Sequence, residues 1–171
     1  MNLAELLKLL HIFFVVVGFG GAIGFHVVMP AAARSSDLTF VRAALRFGNM
    51  FDLMALPGFT AAGVLGIILA LHQDWDWGEN TWLQIGSTLW VLMVLISLAI
   101  LRPALRRLNE LAAKSSGNTV SPELAAEFKK PLQLITPNLL TLLALIVVYL
   151  MVAKPGLDIV DVSHYPVAGF G

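Results

Sequence analysis

Four long apolar blocks, separated by short polar segments, dominate the pattern of the chain. A helix needs about 20 predominantly apolar residues to cross a hydrocarbon core of about 30 Å, and each block is of that length. Backbone polar groups must be paired inside lipid, so each block is predicted to be a transmembrane helix. The predicted spans cover residues 6–29, 50–71, 81–101 and 132–153. We therefore expect an all-α integral membrane bundle of four transmembrane helices, forming one domain over residues 1–171.

Helical patterns also occur between the apolar blocks. Asp37 is a suitable N-cap for a short helix that ends near Gly48. After the third span, leucines recur every three or four residues, which predicts that this span continues as an amphipathic helix. These leucines are Leu101, Leu105, Leu108 and Leu111. Ser121 and Pro122 offer cap and first-turn residues for a further helix. Short amphipathic helices are therefore expected in both loops on one side of the membrane.

The composition supports a membrane protein and excludes some chemistry. Of the 171 residues, 58% are hydrophobic and 13% are charged, whereas about a quarter of the residues of soluble domains are charged. The formal net charge is zero, which argues against a nucleic-acid partner. The chain has no cysteine, which excludes disulfides, thiolate metal sites and cysteine nucleophiles.

The distribution of basic residues predicts the orientation. Lys and Arg are concentrated after spans one and three, whereas the segment between spans two and three has neither. Cytoplasmic loops carry the Lys/Arg excess. We therefore predict that both chain ends lie on the periplasmic side of a bacterial inner membrane. The basic residues are Arg34, Arg42, Arg46, Arg102, Arg106, Arg107, Lys114, Lys129 and Lys130.

The first block also has to be compared with a signal peptide, because Ala31, Ala32 and Ala33 resemble a cleavage site. The segment before it lacks a net positive charge, and its apolar run is longer than that of a signal peptide. We therefore expect the first block to be retained as a transmembrane helix.

The first span carries most of the candidate chemistry. His11 lies one to two helical turns below the predicted outer surface, where an ionisable side chain is costly and usually faces the bundle interior. Lys8 lies on about the same helix face as His11. If His11 bound a haem, Lys8 could pair with a haem propionate at the membrane surface. Gly20 and Gly24 form a small-xxx-small pair, which favours close helix packing and also leaves room for a flat cofactor.

His72 ends the second span, which rises to the same outer face as the start of the first. Imidazoles from His11 and His72 at comparable depth could bind a haem iron from both sides, or a transition-metal ion. The pattern leaves a simpler alternative open, in which His11 hydrogen-bonds a neighbouring helix and His72 is solvated. His26 lies near the inner end of the first span, too far down to join His11.

Charged and helix-breaking residues mark the second and fourth spans. Asp52 is predicted to pair with Arg46 or Arg102 near the inner surface, since charges inside membranes usually pair. Pro57 and Pro137 lie within their spans, where they are expected to kink the helices.

The two ends of the chain resemble known membrane proteins. The opening Leu-Lys-Leu-Leu-His-Ile, the glycine-rich span after it and the closing Tyr149–Pro155 segment resemble a bacterial family of four-helix integral membrane proteins of unknown function. The Lys-x-x-His of the opening is also similar to the first helix of HemJ-type protoporphyrinogen oxidases and, more distantly, of copper-resistance D proteins. The oxidase resemblance implies that His11 binds haem b. The Leu-Pro-Arg stretch that follows the first span in those oxidases is absent, so their reaction is not implied.

These observations give one leading hypothesis and two alternatives. The leading hypothesis is a haem-b-binding or redox-associated membrane protein with His11 as the principal ligand. One alternative is a metal-handling transporter that uses His11, His72 and the acidic outer loop between spans two and three, which holds Asp74, Asp76 and Glu79. The other is a structural or accessory subunit that packs through its glycine face into a homo-oligomer or a larger membrane complex.

Overall fold

The computed structural model describes residues 2–154, most of which are helical. Six helices and one π-helical segment follow in chain order: α1 (Leu3–Arg34), α2 (Leu38–His72), α3 (Thr81–Ile96), the π segment (Ser97–Leu101), α4 (Arg102–Lys114), α5 (Pro122–Phe128) and α6 (Pro131–Ala153). Four continuous stretches are long and apolar enough to cross a membrane: Leu3–Arg34, Leu38–His72, Thr81–Lys114 and Pro122–Ala153. The predicted all-α fold with four spans is confirmed. Pro155 of the closing segment and the tail after it lie outside the described residues.

Side-chain caps define where the first two helices begin. Asn2 and Glu5 form a reciprocal capping box, with each backbone N–H donating to the other side chain at 2.9 Å. Asp37 caps α2, because its Oδ1 accepts from the backbone N–H of Thr39 at 2.8 Å. We name the end of the bundle that carries the α2–α3 loop the outer end, following the predicted topology, and the opposite end the inner end.

The prediction of a separate short helix ending near Gly48 is wrong. The segment is the start of α2, which runs without interruption to His72. Glycine inside a helix costs only about 1 kcal/mol, and at this position the missing side chain makes room for a neighbour. A Cβ on Gly48 would lie 2.8 Å from Met29 Sδ on α1. Packing against α1 therefore favours the continuous helix. Pro57 and Pro137 lie inside α2 and α6, and both helices continue past them.

Glycines set the close contact between α1 and α2, but not all the predicted ones do. A Cβ on Gly21 would lie 2.5 Å from the Ala55 backbone nitrogen, and one on Gly58 would lie 2.7 Å from the Gly18 nitrogen. Gly24 allows the ring of Phe51 to approach, since a Cβ there would lie 2.5 Å from it. These contacts bring two backbones together as small residues do in membranes.

Gly20 takes no part in the helix contacts of the described residues, so its close approach to another helix or a cofactor stays a prediction. This residue is exposed, and no atom of the described chain lies within 4 Å of the position that a Cβ would take. The Gly20/Gly24 spacing identified the correct helix, but the contact face is rotated toward Gly21. Sequence spacing alone does not fix which side of α1 meets α2.

The third span continues into α4, as the leucine spacing predicted, through the π segment Ser97–Leu101. Pro103 follows this segment closely and has no N–H to donate. A π-helical turn accommodates such a break and is often found at functional sites. Within the segment, the Ser97 hydroxyl donates to the Met93 carbonyl at 2.8 Å.

A dense apolar cluster holds the inner end together. Its most buried members are Leu38, Val41, Leu45, Leu108 and Leu124, each at most 1% exposed. The Arg42 guanidinium caps the end of α4 by donating to the Ala112 and Ser115 carbonyls, with Nη2 at 3.0 and 2.8 Å from the two oxygens. Ser121 caps α5 as predicted, accepting from Leu124 N–H at 3.3 Å. The predicted inner amphipathic helices α4 and α5 are therefore confirmed.

A candidate ligand cavity beside His11

The outer half of the bundle contains a large apolar cavity. Helices pack most closely as two pairs, α1 with α2 and α3 with α6, and the cavity of about 430 Å³ lies between these pairs. Its volume is within the range of small-molecule sites, about 300–1,000 Å³. Besides aliphatic side chains, its lining includes His11, Phe19, Phe59, Gly63, Gly66, Trp75, Trp82, Gly86, Ser87, Trp90 and Lys154.

His11 is the histidine that lines this cavity, and a hydrogen bond to helix α2 fixes the orientation of its ring. Its Nδ1 lies 2.7 Å from the Ala62 carbonyl oxygen on α2. A carbonyl oxygen only accepts, so Nδ1 carries the proton and donates it. The neutral ring then has a free lone pair on Nε2. Metal-ligating histidines have the same arrangement, in which the other ring N–H donates to a carbonyl or carboxylate. Gly66 makes this approach possible, because a Cβ there would lie 3.1 Å from His11 Cε1.

The structure does not bring His72 to His11. His11 lies level with Ala62 and Gly66, whereas His72 lies six residues beyond Gly66, about 9 Å farther along α2 at 1.5 Å per residue. His72 is exposed and does not line the cavity. The expected antiparallel packing of the first two spans holds, but the sequence placed the two histidines at too similar a depth. Ligation by His72 stays a prediction without a geometric basis in the described residues.

The other predicted site residues also lie apart from the cavity. Lys8 is exposed near the start of α1 and is not among the lining residues. Gly20 lines neither this cavity nor the smaller one described below, and Gly24 contacts Phe51. Of the five residues that the sequence singled out, the structure therefore assigns only His11 to the cavity.

A family model described as "Predicted integral membrane protein (DUF2269)" matches residues 5–155. The chain belongs to this family. The match covers most of the chain and confirms the resemblance to an uncharacterised family of integral membrane proteins. The family match gives no support to the similarity with protoporphyrinogen oxidases or copper-resistance D proteins, so that similarity stays a hypothesis.

No curated protein and no solved structure matches the chain significantly.

Sequence reasoning missed the residues that close the outer end of the cavity. The Lys154 ammonium lies 4.5 Å from the centroid of the Trp75 ring and 5.4 Å from that of Trp82. The two indoles pack edge to face, with centroids 5.3 Å apart. Cation–π attraction therefore holds Lys154 over the aromatic pair. The membrane-surface tryptophans and the lysine of the closing segment were visible in the sequence, but nothing there indicated their contact.

Two glycines in the cavity wall, Gly63 and Gly86, differ in what a side chain at their position would meet. At Gly63 a Cβ would collide with the Trp90 ring, so the absence of a side chain there serves packing. Gly86 is buried, yet no atom of the described residues lies within 4 Å of the position that a Cβ would take. Because Gly86 lines the cavity, a Cβ there would enter the cavity space without a clash.

A second polar site lies on the inner side of the bundle. Asp52 is buried, and its Oδ2 accepts from Arg102 Nε at 3.1 Å, which confirms the predicted pairing with one of two arginines. His26 lines a smaller cavity together with Asp52. Within residues 2–154, no three His, Asp or Glu side chains cluster as a metal site would require.

Proposed function

We propose that this membrane protein binds haem b, or another flat and largely apolar redox group, in the outer cavity, where His11 Nε2 would bind the iron of a haem. One observation carries the proposal. His11 lines an apolar cavity of about 430 Å³, and its Nδ1–H is held by the Ala62 carbonyl at 2.7 Å. This bond selects the tautomer that an axial histidine needs and stops the ring from rotating away.

The remaining lining residues fit such a group. Phe19, Phe59 and Trp90 offer aromatic surface to an apolar ring system, and Gly86 leaves the wall open. Lys154 lines the outer end, where its ammonium can pair with a carboxylate of the ligand at the membrane surface. This role replaces the one expected of Lys8. Bound haem would supply a one-electron redox centre in the outer half of the bilayer.

The orientation is part of the proposal. Lys and Arg cluster at the inner end of the bundle, in the loop after α1 and in the α4–α5 region. We propose that this end faces the cytoplasm of a bacterial cell and that both chain ends are periplasmic. A reporter active only outside the cytoplasm should give signal when fused after Gly171 and none when fused near Ser116. The reverse pattern contradicts the orientation.

The lipid bilayer is the partner that four spanning segments require. Association with a second copy or with a larger membrane complex stays a prediction. Large apolar side chains are exposed along the spanning helices, for example Val16, Val27 and Leu145, and lipid contact accounts for such exposure.

Absorption spectroscopy tests haem binding. The full-length protein, purified in detergent and titrated with haem b, is expected to show a Soret band and, after reduction, sharp α and β bands. His11→Ala should lose them, and added imidazole should restore part of the signal, because it replaces the missing ligand in a cavity that is otherwise intact. His72→Ala is the matched control and should keep the wild-type spectrum.

Each alternative result has a distinct meaning. A wild-type protein that gives no Soret band after titration overturns the haem proposal. Loss of the spectrum in both histidine variants would favour the two-histidine site that the sequence suggested. If His11→Ala keeps the full spectrum, the axial ligand is another residue.

A further inference from the structure

A second cavity, of about 60 Å³, lies on the inner side of the first. Both cavities share Phe19, Phe59, Trp90, Met93 and Ala144 as lining residues. The rings of Phe19 and Phe59 pack edge to face with centroids 5.2 Å apart, and Trp90 Nε1 donates to the Phe59 carbonyl at 3.0 Å. These aromatic side chains therefore lie where the inner and the outer cavity adjoin.

His26 contributes an acceptor that the protein leaves unused. Its Nδ1 lies 2.8 Å from the Ala22 carbonyl, so Nδ1 carries the proton and Nε2 is an acceptor. That Nε2 is buried and has no hydrogen-bond partner among residues 2–154. A buried acceptor without a partner is destabilising, and unpaired groups of this kind are commonly satisfied by internal water.

Polar groups from other helices line the same cavity. Asp52 uses Oδ2 for Arg102, and its Oδ1 makes no hydrogen bond to the described residues. The Ser97 hydroxyl donates to the Met93 carbonyl and keeps its lone pairs free to accept. The charged groups facing His26 are therefore Asp52 from α2 and, through the ion pair, Arg102 from α4. From α3, the π segment and α6, no charged side chain among the described residues lines the cavity.

We propose that the inner cavity is a hydrated proton-transfer site, with His26 Nε2 as the proton acceptor. About 10–15 Å³ suffices for one water molecule, so the cavity has room for a short chain of waters. A water in the cavity can donate to His26 Nε2, which has no other partner among residues 2–154. A hydronium ion that enters gives its proton to Nε2 and leaves as water, and the imidazolium returns the proton when a water accepts it.

The position of the ion pair indicates the route of entry. Asp52 is 9% exposed in its side chain, whereas Arg102 is 30% exposed. Arg102 also begins α4 at the inner end of the bundle, so the proposed route of protons runs past the ion pair to this end. This inference holds whether or not the outer cavity binds haem.

Histidine ¹⁵N NMR on the full-length protein in lipid bilayers tests the site. The sequence has four histidines, and His26→Gln assigns one signal by removing it. Magnetisation transfer from water is expected to reach the His26 ring within the time seen for hydrated side chains. The Nε2 signal should also show the chemical shift of a ring nitrogen that accepts a hydrogen bond from water.

A filled cavity provides the matched comparison. Thr141 lines the inner cavity, so Thr141→Leu should expel the water and abolish the transfer to His26. Thr88 is exposed on α3 and lines neither cavity, so Thr88→Leu should leave the transfer unchanged. A wild-type His26 ring that receives no magnetisation from water overturns the proposal, even if Thr141→Leu does not fold.

Discussion

His11 and His26 lie on the same helix, yet different parts of the molecule hold their rings. His11 donates Nδ1–H to Ala62 of the neighbouring helix α2, at 2.7 Å. His26 donates Nδ1–H to Ala22, one turn earlier on its own helix, at 2.8 Å. The His26 orientation is thus a property of α1 alone, whereas the His11 orientation requires that α1 and α2 be packed in register. A ligand site at His11 is therefore a product of the assembled bundle.

The surroundings of the two histidines also differ, because the outer half is more open than the inner half. The outer half keeps a cavity of about 430 Å³ between its helix pairs. The inner half contains the leucine-rich cluster, the Asp52–Arg102 pair and a cavity of only about 60 Å³. Substitutions in the inner half and at the α1–α2 contact should therefore lower stability. Substitutions that add a side chain to open space in the wall of the outer cavity, as at Gly86, should lower ligand binding and leave stability unchanged.

The largest effect is expected for Gly21→Leu at the α1–α2 contact. A Cβ at this position would lie 2.5 Å from the backbone nitrogen of Ala55, which cannot move aside as a side chain can. We expect a loss of more than about 3 kcal/mol, beyond the usual range for overpacking, and poor recovery of folded protein. Gly20→Leu is the adjacent control and should give wild-type yield and thermal unfolding in detergent. Equal behaviour of both variants would contradict the assigned helix contact.

A loss of about 3–5 kcal/mol is expected for Arg102→Leu, because it leaves the buried Asp52 carboxylate without its partner. The measurement is the unfolding midpoint in a denaturing-detergent titration. Arg106 is exposed one turn later on α4, so Arg106→Leu should shift the midpoint little. If Asp52→Asn combined with Arg102→Leu is no more stable than Arg102→Leu alone, the ion pair is not the cause.

Gly86→Leu tests most directly whether the outer cavity serves ligand binding rather than stability. The new side chain enters the outer cavity without meeting an atom of the described residues within 4 Å of its Cβ. We expect at least about tenfold weaker haem binding by absorption titration, since the ligand and the leucine compete for the same space, with an unchanged unfolding midpoint. Gly20→Leu is again the control, because it adds the same side chain outside the cavity. Unweakened binding in Gly86→Leu would place the ligand elsewhere.

The smallest effect is expected for Lys154→Met. Lys154 is exposed, so a pairing of its ammonium with a ligand carboxylate is screened by water and contributes little. We expect about two- to fivefold weaker binding of haem b and no change for haem dimethyl ester, which lacks the carboxylate charges. Lys114→Met at the inner end should affect neither ligand. An equal loss for both ligands would mean that Lys154 acts by packing on the tryptophans.

The sequence by itself determined that the chain has four spans, the caps at Asp37 and Ser121, and the inner amphipathic helices. These features depend on local properties: the length of an apolar block, a cap side chain such as Asp37 or Ser121, and the spacing of leucines. It also identified His11 as a candidate and Arg102 as one of two partners for Asp52. Membrane depth limits such choices, because a buried charge must find a partner at its own level.

Tertiary structure alone decided which faces meet. Helix rotation placed Gly21 at the α2 contact and Gly20 outside it, and helix register placed His72 about 9 Å beyond the level of His11. It also brought Lys154 over Trp75 and Trp82 from a distant part of the sequence. Apolar spans are hydrophobic on all sides, so their sequence shows little of which side faces lipid and which faces another helix. That choice is made by the packing of small residues between helices, which only the assembled bundle displays.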